Sequence, residues 1–448
     1  MSEDPRSSQS LQDIELSPSI SDKEKLVVAK SSSSASLLSF LTSKVGISLI
    51  LLFVAANIVL WVCLGIFVFD KSNSSSNDDD LVSSTFDTIF PENFIVTGIR
   101  QDMNNDVIIT GGTGLLNSSA WIYHGPLSNF PTTDTDPDMY TYFWPHFPNQ
   151  TTNATTLYSC NTHYFDTRIP EGNMTAVGSY NYEESAITES FLYKGDFSGH
   201  GEYTEIKIPP QWFVNETSGL NITREVGHTV AHSIMGDIIV GNWLYAGKCD
   251  LLMLLVLSSL MSSYADEYDR GHVFIMNMVS GEVNTVDEGL YFGLSVTFYG
   301  VWQNGGMNST KYTIAGGIYT GEYQNQEHAF LQSYDSRTQT LGPLVKYLYN
   351  NDSSYSTHFE GIAGVEGGFS MAVSQIKHGI TTASYCFVPY NLTTDTYGEA
   401  KWILINNTVV NPEFITSGNT VIDYSVLGVY TTEGGMASFI VDVSSIFF

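Results

Sequence analysis

Six times between residues 94 and 448 the chain repeats one arrangement: a short apolar run closing on or near glycine, a polar turn, then a small residue and an aromatic within a second apolar run. The copies are DVIITGG (106–112) with SAWIYHG (119–125), TAVGSY (175–180) with ESFLYKG (189–195), and DIIVGNW (237–243) with GHVFIMN (271–277). They continue with YTIAGGIY (312–319) and HAFLQSYD (328–335), FSMAV (369–373) and SYCFVPY (384–390), and SVLGVY (425–430) and ASFIVDV (437–443). Two short β runs joined by a polar turn make a hairpin, and glycine lets neighbouring backbones approach closely. Around the fifth and weakest copy, THFEGIAG, FSMAVSQI, TASYCFVPY and KWILIN give four strands in about 50 residues. Four-stranded sheets repeated radially are propeller blades. The spacing therefore predicts an all-β domain, a β-propeller of about six four-stranded blades over residues 94–448. A pair of β-sandwiches with similar strands is the competing arrangement.

The aromatics of the second runs are Trp121, Phe191, Phe274, Phe330, Phe387 and Phe439. The G-x-Y…H-A-F-L grammar resembles the HAF-type extracellular repeat, with YTIAGGIY…HAFLQSYD the best copy and TAVGSY…SFLYKG and VLGVY…ASFIVDV next. The resemblance spans most of residues 94–448 loosely. It implies a propeller-like fold and an extracellular setting, and it brings no catalytic residues.

A second feature sets the location. Residues 45–69, VGISLILLFVAANIVLWVCLGIFVF, carry no charge over 25 positions. As a helix they span about 37 Å, enough for a hydrocarbon core of about 30 Å with some tilt. Lys23, Lys25, Lys30 and Lys44 precede the run, whereas Asp78, Asp79 and Asp80 follow it, so the positive-inside bias places the N-terminus in the cytoplasm. Eleven N-x-S/T sequons agree: Asn73, Asn117, Asn149, Asn153, Asn173, Asn215, Asn221, Asn308, Asn351, Asn391 and Asn406 all lie beyond the run. The expected organisation is a disordered Ser-rich cytoplasmic tail (1–44), a transmembrane signal-anchor helix (45–69), a polar stalk (70–93) and a glycosylated ectodomain (94–448). The expected location is the plasma membrane or a secretory-pathway membrane, crossed once.

The third copy is interrupted. Gly241 and Phe274 are 33 positions apart, against 13 from Gly178 to Phe191 and 14 from Gly316 to Phe330. The extra residues include the apolar run LLMLLVLSSLM at 251–261, too short to cross a bilayer. Two readings stand, an element packed on the blade or a translated intron.

Acids outnumber bases 47 to 18, and the net charge is −29. The tail holds five bases and six acids, leaving 13 bases and 41 acids beyond the span, a net of −28. That field excludes nucleic acid as a partner, because phosphate binding needs clustered Lys and Arg. The remaining partners are the bilayer through 45–69 and an extracellular protein or neutral glycan.

Chemistry-bearing motifs are few. Asp134, Asp136 and Asp138 (DTDPD) are weak candidates for a calcium loop, but the sixth loop position is Met139 and the twelfth Pro145, which excludes an EF-hand. No cofactor is expected beyond that calcium. His228 and His232 (HTVAH) have i,i+4 spacing without the zincin glutamate, so they read as structural histidines. No catalytic residue is identifiable. Cys160, Cys249 and Cys386 make an odd count beyond the span, which suggests one disulfide of undetermined pairing and one free or intermolecular thiol. The functional expectation is a single-pass type II membrane glycoprotein whose acidic propeller binds a ligand. The alternatives are an anchored carbohydrate-active enzyme on the same scaffold, or a viral attachment glycoprotein.

Overall fold

The inner strand of every blade breaks its ladder at the same place, and that break organises the molecule. The structure, a computed structural model, describes residues 88–89, 93–114, 118–130, 140–145, 147, 152–182, 187–209, 211–215, 220–224, 226–245, 272–286, 295–320, 326–405, 415–432 and 435–447. Among them, six antiparallel sheets of four or five strands follow one another. Blade I holds β2 (Phe94–Gln101), β3 (Asp106–Thr113), β4 (Ala120–Pro126) and β5 (Tyr140–Phe143). Blade II holds β6 (Thr152–Thr162), β7 (Asn173–Tyr182), β8 (Thr188–Asp196) and β9 (Gly201–Ile206). A separate hairpin, β10 (Gln211–Asn215) and β11 (Leu220–Arg224), precedes blade III. Blade III holds β12 (Val226–Met235), β13 (Ile238–Tyr245), β14 (His272–Asn277) and β15 (Val283–Thr285). Blade IV holds β16 (Val296–Gln303), β17 (Lys311–Thr320), β18 (Gln326–Asp335) and β19 (Thr340–Tyr347). Blade V holds β20 (Tyr355–Val365), β21 (Gly368–Lys377), β22 (Ile380–Asn391), β23 (Thr396–Tyr397) and β24 (Lys401–Leu404). Blade VI takes β25 (Thr416–Ile422), β26 (Ser425–Thr431) and β27 (Met436–Asp442) from the C-terminal end and β1 (Thr88–Ile89) from the other.

The first strand of each blade touches the first strand of the next, and β25 of blade VI touches β2 of blade I, so the ring closes. Closure is tied by sequence-distant strands: Thr88 pairs with Ile440 and Ile89 with Phe439. Thr88 and Ile89 thus belong to blade VI, although the sequence reading placed them in the stalk. The outermost strand of each blade remains an edge, and in blade VI β1 covers β27.

The repeat seen in the sequence is the second and third strand of each blade. In five blades the glycine faces the aromatic across the ladder: Gly111–Trp121, Gly178–Phe191, Gly241–Phe274, Gly316–Phe330 and Gly428–Phe439. A Cβ on Gly178 would lie 2.6 Å from the Phe191 ring and 2.3 Å from the Thr156 carbonyl, so the ring occupies the side chain's place. Each of these five aromatics is fully buried, which contributes about 1.5–3 kcal/mol apiece. Blade V corrects the expectation. The matching pair is Val373 opposite Ser384, with the bulk moved to the other strand, while Phe387 pairs with Ser370 and is half-buried.

The small residue before the aromatic meets the next blade. Ser190 Oγ accepts the Ala231 N–H at 2.8 Å, and Ser438 Oγ accepts the Val96 N–H at 2.9 Å. The core lies between blades for the same reason: Val177 and Leu192 of blade II pack with Ala231, Ile234 and Phe274 of blade III.

Cys160 and Cys386 are buried in blades II and V without a disulfide, so these two do not pair. Cys249 and the 251–261 run lie outside the described residues. The latter falls in the connection from Tyr245 to His272, longer than its counterpart at 321–325 in blade IV. Among the described residues no helix is long and apolar enough to cross a membrane; residues 45–69 lie outside them.

Candidate functional site

Each inner strand carries a β-bulge, an extra residue that pairs with nothing and is re-aimed by the kink. The six bulged residues are Thr97, Tyr158, His232, Tyr299, Glu360 and Asn419. All six are half-buried. The residue after each is small: Gly98, Ser159, Ser233, Gly300, Gly361 and Thr420. Small residues there let six strands converge on the axis, and the bulge supplies one larger side chain per blade to line it. Contacts run around that lining from blade to blade. The Tyr158 and His232 rings are 5.0 Å apart, His232 stacks on Tyr299 at 4.0 Å, and Tyr299 meets His358 edge-on at 4.6 Å.

The lining forms a funnel. Two residues before the bulges, Ile95, Thr156, Val230, Thr297 and Ser417 are half-buried, and His358 is buried. Three residues after them, Arg100, Asn161, Met235 and Ala363 are buried and Trp302 and Ile422 half-buried, which makes a more closed floor. The funnel therefore opens towards the starts of the inner strands.

Its charged element is a Glu–His–Glu group. His358 Nδ1 lies 2.6 Å from Glu327 Oε1, and His358 Nε2 lies 3.9 Å from Glu360 Oε2. Glu327 stands on β18 opposite Tyr319 of β17. The pair needs Gly317, where a Cβ would fall 2.1 Å from Glu327 Oε1 and 2.4 Å from His358 Nδ1. Burial disfavours the imidazolium, but the charges of Glu327 and Glu360 outweigh it and raise the His358 pKa to about 9. Burial, helped by the His358 charge, lowers His232 to about 3. Burial also raises Glu360, against the opposing effects of His358 and Ser374. Two histidines on either side of Tyr299 are thus held in opposite states near neutrality, one cationic and one neutral. His358 Nε2 is buried with no hydrogen-bond partner among the described residues. The site offers a cationic nitrogen without a hydrogen-bond partner among the described residues, an acid that keeps its proton longer than usual, and an arc of half-buried aromatic rings.

The sequence candidates fare differently. Asp134, Asp136 and Asp138 lie outside the described residues, among which no group of three His, Cys, Asp or Glu side chains is placed to hold a metal. His228 accepts the Thr188 N–H at 3.0 Å, a structural use. His232 is not merely structural in position, since it lines the funnel. Asn308, Asn351 and Asn391 are exposed and Asn173 is half-buried. Asn153, Asn215 and Asn221 fall in β6, β10 and β11, and Asn73, Asn117, Asn149 and Asn406 lie outside the described residues.

No family model matches the chain, and no curated protein does. Solved structures resemble it weakly. A protein of unknown function from Dyadobacter fermentans is 10% identical with a TM-score of 0.39, over 81% of this chain and 98% of that one. A subtype N10 neuraminidase-like protein of A/little yellow-shouldered bat/Guatemala/060/2010 is 9% identical with a TM-score of 0.35, over 80% and 97%. The Nup133 β-propeller domain of Vanderwaltozyma polyspora is 9% identical with a TM-score of 0.29, over 77% and 93%. At these values the six-bladed propeller rests on the sheet topology above, and no chemistry is carried across.

Proposed function

We propose that the chain is a single-pass type II membrane glycoprotein whose propeller binds a neutral, hydroxyl-rich ligand, a glycan, in the axial funnel. The observation that carries the ligand class is the lining: the half-buried rings of Tyr158, His232 and Tyr299 form one arc of it, and the buried His358 Nε2 has no hydrogen-bond partner among the described residues. Sugars present C–H faces that stack on aromatic rings and hydroxyls that accept from charged donors. A neutral ligand fits the net charge of −28 beyond residue 69, which disfavours anionic polymers. The uncharged run at 45–69 and the eleven sequons beyond it support the topology. The HAF-type repeat is the family reading that accompanies it.

The test is a glycan array probed with the full chain in lipid nanodiscs, beside Tyr299→Ala. Selective binding lost in the variant supports the proposal; no selective binding, or equal binding by the variant, overturns it. Topology is tested by protease added to intact cells, which shortens the chain to its N-terminal part if the bulk lies outside.

A second reading draws on one specific observation, that Glu327 and Glu360 flank His358 in the same funnel. Paired carboxyls in unlike environments are the equipment of glycoside hydrolysis. Release of new reducing ends from a bound glycan, abolished by Glu360→Gln, selects that reading over recognition.

A further inference from the structure

The floor of the funnel contains a charge with no answer. Arg100 is 5% exposed, yet among the described residues no carboxylate forms an ion pair with it. Asp102, two residues on, is taken by His124 at 2.7 Å. The guanidinium donates one NH to the Ile99 carbonyl at 2.9 Å and reaches Ser233 Oγ only at 3.5 Å. Its centre lies 5.8 Å from the Trp302 ring, and Nε has no partner. Buried cations are ordinarily paired, because desolvating one costs several kcal/mol. The free Nε edge of a guanidinium is also the edge that takes a carboxylate through two parallel hydrogen bonds.

A cavity of about 790 Å³ lies at the face opposite the funnel mouth, where the first and second strands of the blades connect. Two of its lining residues, Met235 and Trp302, stand three positions after their bulges, the level of Arg100 on β2. Tyr164, Phe165, Phe369 and Leu392 make much of the remaining wall. Met103, Tyr164, Met307 and Leu392 are among the large apolar side chains left exposed on the molecule, and all four line this cavity. Asn304, 4% exposed and on the wall, has an Oδ1 with no partner.

We propose that this cavity is a small-molecule site for an amphipathic monocarboxylate, with Arg100 holding the carboxylate and the aromatic wall holding the apolar body. The acidic surface explains why an apolar body is required: the overall field disfavours a bare anion, and burial of apolar area supplies the affinity that the field removes. Arg100 is not itself on the wall: it lies behind Trp302, which is, and a shift of that ring or of the pliable Met235 side chain beside it is what the proposal requires to bring the guanidinium edge to the cavity. The site lies on the far side of the funnel floor, to which Arg100 and Met235 belong, and does not depend on the glycan reading.

The experiment is isothermal calorimetry on the full chain in nanodiscs with 3-phenylpropanoate, 3-phenylpropanamide and acetate. The expected result is saturable one-to-one binding of the acid, about tenfold or more tighter than the amide, as a charge-assisted pair provides, and no saturation by acetate. Arg100→Met removes the preference of acid over amide. Met307→Glu, at an exposed side chain on the wall, weakens the acid several-fold more than it weakens the amide. Equal affinity for acid and amide overturns the proposal, as does an unaltered preference in Arg100→Met. If Arg100→Met fails to fold, unchanged acid binding by Met307→Glu is the overturning result.

Discussion

Replacing His358 by Gln tests the electrostatics of the funnel directly. The variant keeps a side chain that can hydrogen-bond Glu327 but cannot take a proton. His358 has an ordinary pKa of 6.5 and about 9 in the folded chain. Each pH unit of that gap is worth about 1.4 kcal/mol, so protonated His358 stabilises the fold by about 3 kcal/mol. Because the folded value is raised, this contribution is complete below the unfolded value of 6.5 and is lost as pH rises through about 9. His358 is well covered, with 11% of its side chain exposed, so solvent screening removes little of it. The assay is chemical denaturation of wild type and His358→Gln at a series of pH values from about 6 to about 10. Lysines and tyrosines titrating in that range affect both proteins alike and cancel in the difference. The wild-type advantage should be about 3 kcal/mol at the acid end and shrink towards zero at the alkaline end. A difference that is flat, or that grows with pH, refutes the charge state assigned to His358.

His232 gives the opposite signature: its folded pKa of about 3 lies below 6.5, so its stabilising effect is present above 6.5 and lost on acidification. His232→Phe keeps the stacking on Tyr299 and should shift the acid-unfolding midpoint to lower pH, measured by circular dichroism. Gly178→Ala forces a Cβ to 2.3 Å from the Thr156 carbonyl and 2.6 Å from the Phe191 ring; it should cost about 2–3 kcal/mol by denaturant titration. A chain lacking residues 79–92 loses β1 and leaves β27 as an additional edge, so it should self-associate more than the full chain in size-exclusion chromatography.

The blades were legible in the sequence because their middle hairpins carry a volume rule. A ring on one strand needs an absent side chain on the other, and glycine opposite Trp or Phe is visible without a structure. Blade V shows the limit of reading by residue type. Val373 opposite Ser384 satisfies the same volume with the partners exchanged, and FSMAV with SYCFVPY suggests Phe387 instead. β1 was illegible because two residues, Thr88 and Ile89, carry no pattern; only the missing fourth strand of blade VI calls for them.

The funnel was harder to read, and the reason is physical. Its residues are chosen by the bulge and not by type, so the lining mixes Thr, Tyr, His, Tyr, Glu and Asn at one equivalent position. What repeats is the surrounding frame, seen in VTGI (96–99), LYSC (157–160), AHSI (231–234), FYGV (298–301), FEGI (359–362) and GNTV (418–421). In five of these an apolar residue precedes the variable one, and in all six a small residue and then an apolar one follow. Glu327 escapes even this frame, since it reaches His358 from the third strand of blade IV through the gap left by Gly317. A scaffold built this way largely separates folding from chemistry: the small residues and buried rings specify the ring of blades, while the bulged side chains line the axis, and of these Thr97 and Asn419 also tie blades together by donating to the Leu157 and Val96 carbonyls. Substituting Tyr158 or Tyr299, which neither carry a charge nor bond the next inner strand, should therefore alter binding more than stability, whereas changing the small residue beside either should do the reverse.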